Sequence, residues 1–298
     1  MLKKRIYRLI ESVLKRIIFF FKKTTNKNLS KAILTAIFKA NVEEKILLKI
    51  NKKEIFVVHS HETLSKQIFI DGSYDFIDFE KTISIIKELN SLNTLVDIGA
   101  NIGSICIPAL TRNYFKNAII IEPEIKNFRL LMANVYLNEL EKRVIAYNIA
   151  ITNRDDGILY LKKDDKWDNR GDFRIVENPL NDNKSTNKNI AKVKGETLDK
   201  IAPNLKKENS LIWMDVQGYE GVVLKGANGC IKKKIPLVLE FSPDLMKNYD
   251  SFNNLKLLLP HYSILYNLKE KKPYPIKLTE AKLNELFNNL DYTNLLFI

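Results

Sequence analysis

At 298 residues with 45% hydrophobic composition, the chain can bury one large α/β core and an appendage, whereas two equal domains would be cramped. Its formal net charge of +13 points to an anionic partner, but ten Lys and Arg between Met1 and Lys31 face one acid, Glu11, so the remainder is nearly balanced. Cys106 and Cys230 are far apart and each lies in an apolar context, which argues against a disulfide framework, favours a reducing compartment and gives neither a catalytic setting.

In chain order, Leu2, Ile6, Leu9, Ile10, Val13, Leu14, Ile17 and Phe21 recur at helical spacing among the cations, which predicts a basic amphipathic helix. Through residues 1–27 such a helix can lie on an anionic membrane face, or it can pack on its own domain with its charges solvated. No apolar run reaches the roughly 20 residues of a spanning helix. The densest cluster, Ile17 to Phe21, is short and followed by Lys22 and Lys23 rather than small residues, which does not suit a cleavable signal. The expected location is the cytoplasm, with any peripheral attachment at the inner membrane face. A helix over Ser30–Lys39 and a strand pair within Lys45–His59 complete an extension taken to end near residue 70.

From about Gly72 strands and helices alternate, the pattern of a doubly wound, mostly parallel α/β sheet with helices on both faces. Seven strands are predicted: Thr94–Ile98, Ala118–Ile121, Val144–Asn148, Leu211–Asp215, Ile235–Phe241, Tyr262–Tyr266 and Thr293–Phe297. Helical patterns occupy Ser104–Thr111, with Pro108 near its start, and Lys126–Leu137. Runs such as Ala118 to Ile121 indicate strands buried on both faces. Residues 164–189 break the rhythm, being rich in Asn, Asp and Lys yet holding Trp167, Phe173 and Ile175; they read as a partly ordered lid with aromatic anchors or as plain disorder.

Three constellations carry chemistry. A buried strand ends in Asp97, followed by Gly99, Asn101 and Gly103 before a helix. Glycines permit a tight turn and close backbone approach, and free amides at a helix start favour an anion. The spacing G-x-x-x-G is not the dinucleotide pattern. An acidic strand end beside loop amides suits a cation that also carries a carboxylate, such as an amino-acid sulfonium; the turn can equally be a structural connection. Next, Ile119 to Ile121 runs into Glu122-Pro123, where a carboxylate can accept both ribose hydroxyls of an adenosine-type ligand. Asn148 and Ala150 close the third strand, as an adenine wall or an ordinary strand end. Finally, Trp213-Met214-Asp215-Val216-Gln217-Gly218-Tyr219-Glu220 places Asp215 at the carboxyl end of a central strand. Glu220 opens the next helix, where it can simply complement the helix dipole.

With Glu196-Thr197-Leu198-Asp199, Asn127-Phe128, Leu131 to Asn134 and Leu239-Glu240 added, the chain resembles the FkbM family of methyltransferases over about Gly72 to Phe241. The resemblance implies a class I, Rossmann-like fold, S-adenosylmethionine as methyl donor, and O-methylation of hydroxyls on sugars, glycolipids or related metabolites. It also implies that Asp97, Gly99 and Glu122 hold the donor and that Asp215 borders the reaction; Asn101, Gly103 and Asn148 are further candidates for donor binding from the residues themselves. The family frequently has Lys where Trp213 stands and Glu where Gln217 stands, and the basic N-terminus lies outside the resemblance.

Methyl transfer is an in-line displacement in which positioning the acceptor does much of the work and a base takes the hydroxyl proton. Asp215 is the first candidate for that base and Glu240 the second. His59, His61 and His261 are expected to be structural or exposed. Carboxylates at strand ends can also hold a divalent metal, which the sequence leaves open. A nucleic-acid methyltransferase is the rival enzyme, but the Asn/Asp-Pro-Pro-aromatic signature of its amino-methylating members is absent at Asp215, and Asn178-Pro179-Leu180 falls in the polar loop. A membrane-surface binding protein that has kept the fold and lost activity is the non-enzymatic rival.

Overall fold

The computed structural model describes residues 27–39, 46–51, 53–60, 62–87, 92–163, 173–176 and 190–298. The predicted helix from Leu2 to Phe21, His61, Trp167 and most of the stretch 164–189 lie outside them.

The described chain opens with α1 (Lys27–Lys39), the hairpin β1 (Ile46–Ile50) and β2 (Ile55–His59), then α2 (Thr63–Asp71) and α3 (Phe76–Ile86). Next come β3 (Thr94–Ile98), α4 (Cys106–Thr111), β4 (Asn117–Ile121), α5 (Ile125–Leu137) and β5 (Val144–Tyr147). Four strands of a smaller sheet follow: β6 (Ala150–Ile151), β7 (Gly157–Lys163), β8 (Phe173–Val176) and β9 (Ile190–Glu196). The chain then returns through β10 (Ser210–Met214), α6 (Glu220–Lys225), α7 (Asn228–Lys232), β11 (Leu237–Phe241), β12 (Ile264–Asn267), β13 (Ile276–Lys277), α8 (Glu280–Asn289) and β14 (Thr293–Phe297).

The main sheet has the order β13-β12-β14-β11-β10-β3-β4-β5. From β11 to β5 every pairing is parallel, and β14 runs antiparallel between β11 and β12. Seven strands lie where the apolar runs put them. The eighth, β13, corrects the predicted number; at two residues it is too short to show a period. The strands are covered on both faces. Leu211 and Trp213 point into a cluster with Phe79, Ile107 and Leu131, while Ile212 and Met214 point into another with Val223, Ile231 and Leu283. That alternation is the period of two of a pleated strand, and double burial is why these strands read as continuous apolar runs. Cys106 and Cys230 are both free and buried.

The smaller sheet, of order β6-β9-β7-β8, has no counterpart in the sequence reading. Leu159 and Leu161 of β7 and Val193 of β9 turn inward, while Lys192 and Lys194 turn out. With lysines on the outer positions and an Asn- and Lys-rich connection between them, these strands look like loop. Within that connection β8 pairs antiparallel with β7, and the Tyr249 hydroxyl donates to the Ile175 carbonyl at 2.9 Å, tying β8 to the main body.

The hairpin and α2 share their core with the sheet, since Phe56 and Val58 of β2 and Ile68 of α2 join the cluster of Leu95 and Ile120. Asn134 of α5 and Asn138, four residues on and on the same side of the helix, meet β2 edge-on. Asn138 accepts from the Ile55 amide (2.9 Å) and donates to its carbonyl (2.7 Å). Asn134 accepts from the Val57 amide (2.6 Å) and donates to the carbonyls of Val57 (3.3 Å) and Ile102 (2.8 Å).

Candidate active site

Chain order in the main sheet reverses at β3, which leads to β4 and β5 on one side and has β10 and β11 on the other. Open α/β sheets bind ligands beyond the strand carboxyl ends at such a switch point. A cleft of about 230 Å³ lies there, lined by Gly99, Asn101 and Glu122 from the β3–β4 side and by Asp215, Gln217 and Glu240 from the β10–β11 side. Its lining also includes apolar residues at Ile149 to Ile151, Phe173 and Ile175 of β8, and two tyrosines, Tyr74 and Tyr292.

The turn after β3 is built for approach between protein segments. Gly99 has φ +84, and a Cβ there would stand 1.8 Å from the carbonyl oxygen of Asp215. Only a glycine lets the ends of β3 and β10 converge so closely. Gly103, at φ +95, faces softer neighbours, the tips of Ile107 (2.7 Å) and Leu131 (3.0 Å). Asn101 is also left-handed, at φ 52, a conformation asparagine tolerates.

Four of the loop amides are engaged by the protein itself. Those of Gly99 and Ala100 donate to the Ile121 carbonyl, and that of Gly103 to Ala100. The Asn101 amide donates to Glu122 Oε2 at 2.8 Å, and the Glu124 amide to Glu122 Oε1 at 2.8 Å. Turns fill residues 101–105, and the helix begins at Cys106 rather than Ser104. Its Cys106 amide donates to Asp97 Oδ2 at 3.2 Å.

Of the sequence-predicted residues, Gly99, Asn101, Glu122, Asp215 and Glu240 come together on the cleft, whereas Asp97, Gly103 and Asn148 stand behind its walls. Asn148 donates to the carbonyls of Glu122 (2.8 Å) and Pro123 (3.0 Å), bracing the end of β4. Neither His59 nor His261 lines the cleft. Trp213 packs on Phe79 at 5.7 Å between ring centroids, on the core side of the sheet.

Burial dominates the electrostatics. It pushes the Asp97 carboxyl up to about 7 and that of Glu122 up to about 8, against the stabilising amides each receives. Across the cleft, the Gln217 amide, itself at φ 55, bridges Asp215 Oδ1 (2.8 Å) and Glu240 Oε2 (3.3 Å). Glu220 Oε1 closes the loop below by accepting the amides of Val216 (3.0 Å) and Gly218 (3.3 Å). Its role is therefore more than helix-dipole complement. Burial raises the carboxyls of Asp215 and Glu240, for Glu240 reinforced by Asp215 and Glu220, and pushes Glu220 up to about 8. Asp75, whose Oδ2 accepts from the Tyr292 hydroxyl at 3.4 Å, is pushed up to about 6 by burial and by Asp215.

Sequence patterns gave no notice of Tyr74 or Tyr292 in this cleft, whereas Phe173 and Ile175, from the stretch read as a lid or as plain disorder, line it as part of β8. Asp75 and Tyr292 meet across 217 positions, and no local period records such a pairing. Gln217 is different, because the resembled family frequently has Glu at that place, which marks it as a departure before any geometry is known.

A family model described as the methyltransferase FkbM domain matches residues 97–263. No curated protein matches the sequence. Among solved structures, a methyltransferase FkbM from Methylobacillus flagellatus aligns at 16% identity and TM-score 0.40, over 78% of this chain and 52% of that one. The chain thus spans about half the length of that protein. M. jannaschii TYW2 in complex with AdoMet aligns at 13% identity over 86% and 85% of the two chains, TM-score 0.40. The M. jannaschii tRNA m1G37 methyltransferase aligns at 12% identity over 93% and 66%, TM-score 0.40.

Proposed function

Because the chain belongs to the FkbM methyltransferase domain family, we propose that it transfers a methyl group from S-adenosylmethionine to a hydroxyl of a sugar, glycolipid or related metabolite. The observation that carries this reading is one cleft with two acidic walls at the switch point: Glu122 beside the Gly99 turn, and Asp215 with Glu240 across from it.

The donor set fits the methyl donor. Each Glu122 oxygen accepts one backbone amide and keeps further acceptor capacity for ribose hydroxyls. Ile149, Ala150 and Ile151 offer an apolar wall for an adenine ring. The carboxylates of the far wall attract a sulfonium. When bound, that group supplies an electrophilic methyl whose bonding pair leaves with sulfur as a neutral thioether. Asp215 then positions the acceptor hydroxyl and takes its proton as the new C–O bond forms, while Gln217 holds Asp215 and Glu240 in fixed relation. An anionic acceptor such as a nucleic acid is disfavoured, since no Lys, Arg or His among the described residues lines the cleft. Labelled methyl donor incubated with a cell extract, followed by separation of sugar, lipid and nucleic-acid fractions, tests the acceptor class; label confined to nucleic acid overturns it.

Glu122 gives a pH signature. Its folded carboxyl titrates above the ordinary 4.5, so its stabilising contribution is complete below that value and is lost as pH rises through about 8. Donor binding, which uses the carboxylate form, moves the other way, so affinity rises through the same window. Glu122→Gln should flatten the rise, and Glu122→Ala should weaken donor binding about 10- to 100-fold by calorimetry. Wild-type affinity that is flat from about pH 6 to 9 sinks this role.

Residues 1–27 attach the enzyme peripherally to an anionic membrane face in this reading, supported by their apolar spacing and cations. Among the described residues no helix is long and apolar enough to cross a membrane. Co-sedimentation with anionic liposomes should fall with salt; equal binding after deletion of 1–27 excludes it.

A further inference from the structure

Asp215 at the end of β10, Glu220 at the start of α6 and Glu240 in β11 each offer an oxygen, and these three atoms lie within 4.8 Å of one another. The supporting elements are two adjacent parallel strands and the helix entered directly from one of them, so the set is held by the sheet itself. Independently of that clustering, Glu220 is fully buried and its Oε2 has no hydrogen-bond partner, while its Oε1 is held by two backbone amides. A buried carboxylate oxygen left without a partner is costly, and three carboxylates this close call for a positive charge. None of the described cleft residues supplies one.

We propose that Asp215, Glu220 and Glu240 bind a hard divalent cation of the Mg²⁺, Mn²⁺ or Ca²⁺ class. Three equidistant oxygens around one Ca²⁺ at about 2.4 Å stand at most about 4.2 Å apart, and around Mg²⁺ at about 2.1 Å at most about 3.6 Å, so the set closes by a fraction of an ångström on the larger ion and by up to about 1 Å on the smaller. An all-oxygen set without His or Cys selects this class over zinc or copper. Three protein ligands leave coordination positions for water and for an incoming oxygen. Resting on the methyl-transfer reading above, those positions would receive the acceptor hydroxyl and favour its deprotonated form; ion binding itself does not depend on that reading.

The test is titration of metal-free full-length protein with Mn²⁺, followed by the paramagnetic signal of free ion, without methyl donor, then competition by Mg²⁺ and Ca²⁺. One saturable site per chain is expected. Glu220→Gln keeps an oxygen for the loop amides, and it and Glu240→Gln should each weaken binding about tenfold or more. Mn²⁺ should raise the melting temperature of the wild type and leave that of the variants unchanged. Absence of saturable binding at millimolar Mn²⁺, or unchanged binding in both variants, overturns the site. If either variant fails to fold, Asp215→Asn replaces it under the same criterion. Donor affinity is measured separately: metal binding without donor binding sinks the methyl-transfer reading alone, and donor binding without metal binding sinks the metal site alone.

Discussion

Asp215→Asn should slow methyl transfer by about 10²- to 10⁴-fold while leaving S-adenosylmethionine affinity nearly unchanged. The substitution is nearly isosteric, keeps an oxygen for the Gln217 amide and lies across the cleft from Glu122, so it removes a proton acceptor without dismantling the donor wall. Single-turnover rates with a calorimetric dissociation constant separate the two effects. Normal turnover would remove Asp215 as base and leave Glu240, joined to it through the same glutamine, as the remaining carboxylate to test.

Gly99→Ala should be the most destabilising single-methyl change in the site. A Cβ at φ +84 is strained in any surroundings, and here it would lie 1.8 Å from a backbone oxygen that cannot rotate away. Parting the ends of β3 and β10 to admit it should cost about 3–5 kcal/mol, a fall of roughly 10 °C in melting temperature, with donor binding lost as the cleft opens. Gly103→Ala is the control. Its neighbours are side-chain tips that can shift, so it should cost markedly less. A Gly99→Ala protein that melts with the wild type would mean that the strand ends are not held as tightly as the geometry requires.

How much of this was legible beforehand depends on what each residue answers to. The strands answer to burial on two faces, a local property, and Thr94–Ile98 and Thr293–Phe297 fall where their apolar runs place them. Strand-end acids are legible for the same reason, since Glu122, Asp215 and Glu240 interrupt or follow those runs. Their partners are not. Nothing in the pattern around Asp97 tells that its carboxylate takes the Cys106 amide, or that Glu122 captures the Asn101 amide a ligand was expected to meet. The smaller sheet was missed because its outward positions carry lysine, leaving only alternate apolar residues such as Leu159, Leu161 and Val193 to mark it. Tyr292 and Tyr74 belong to the cleft through packing alone.

The two asparagines at α5 also decide what one edge of the N-terminal hairpin offers to other proteins. On β2, the amides of Ile55, Val57 and His59 face away from β1, and they are taken by Asn138, Asn134 and the Ser65 hydroxyl in turn. A strand with one edge open is a template on which a foreign chain can add itself. Here the row of donors that would invite it ends in side chains, which complete the edge without continuing the ladder. The β2 edge of the hairpin is closed to recruitment at the same three residues that fasten it to its own domain.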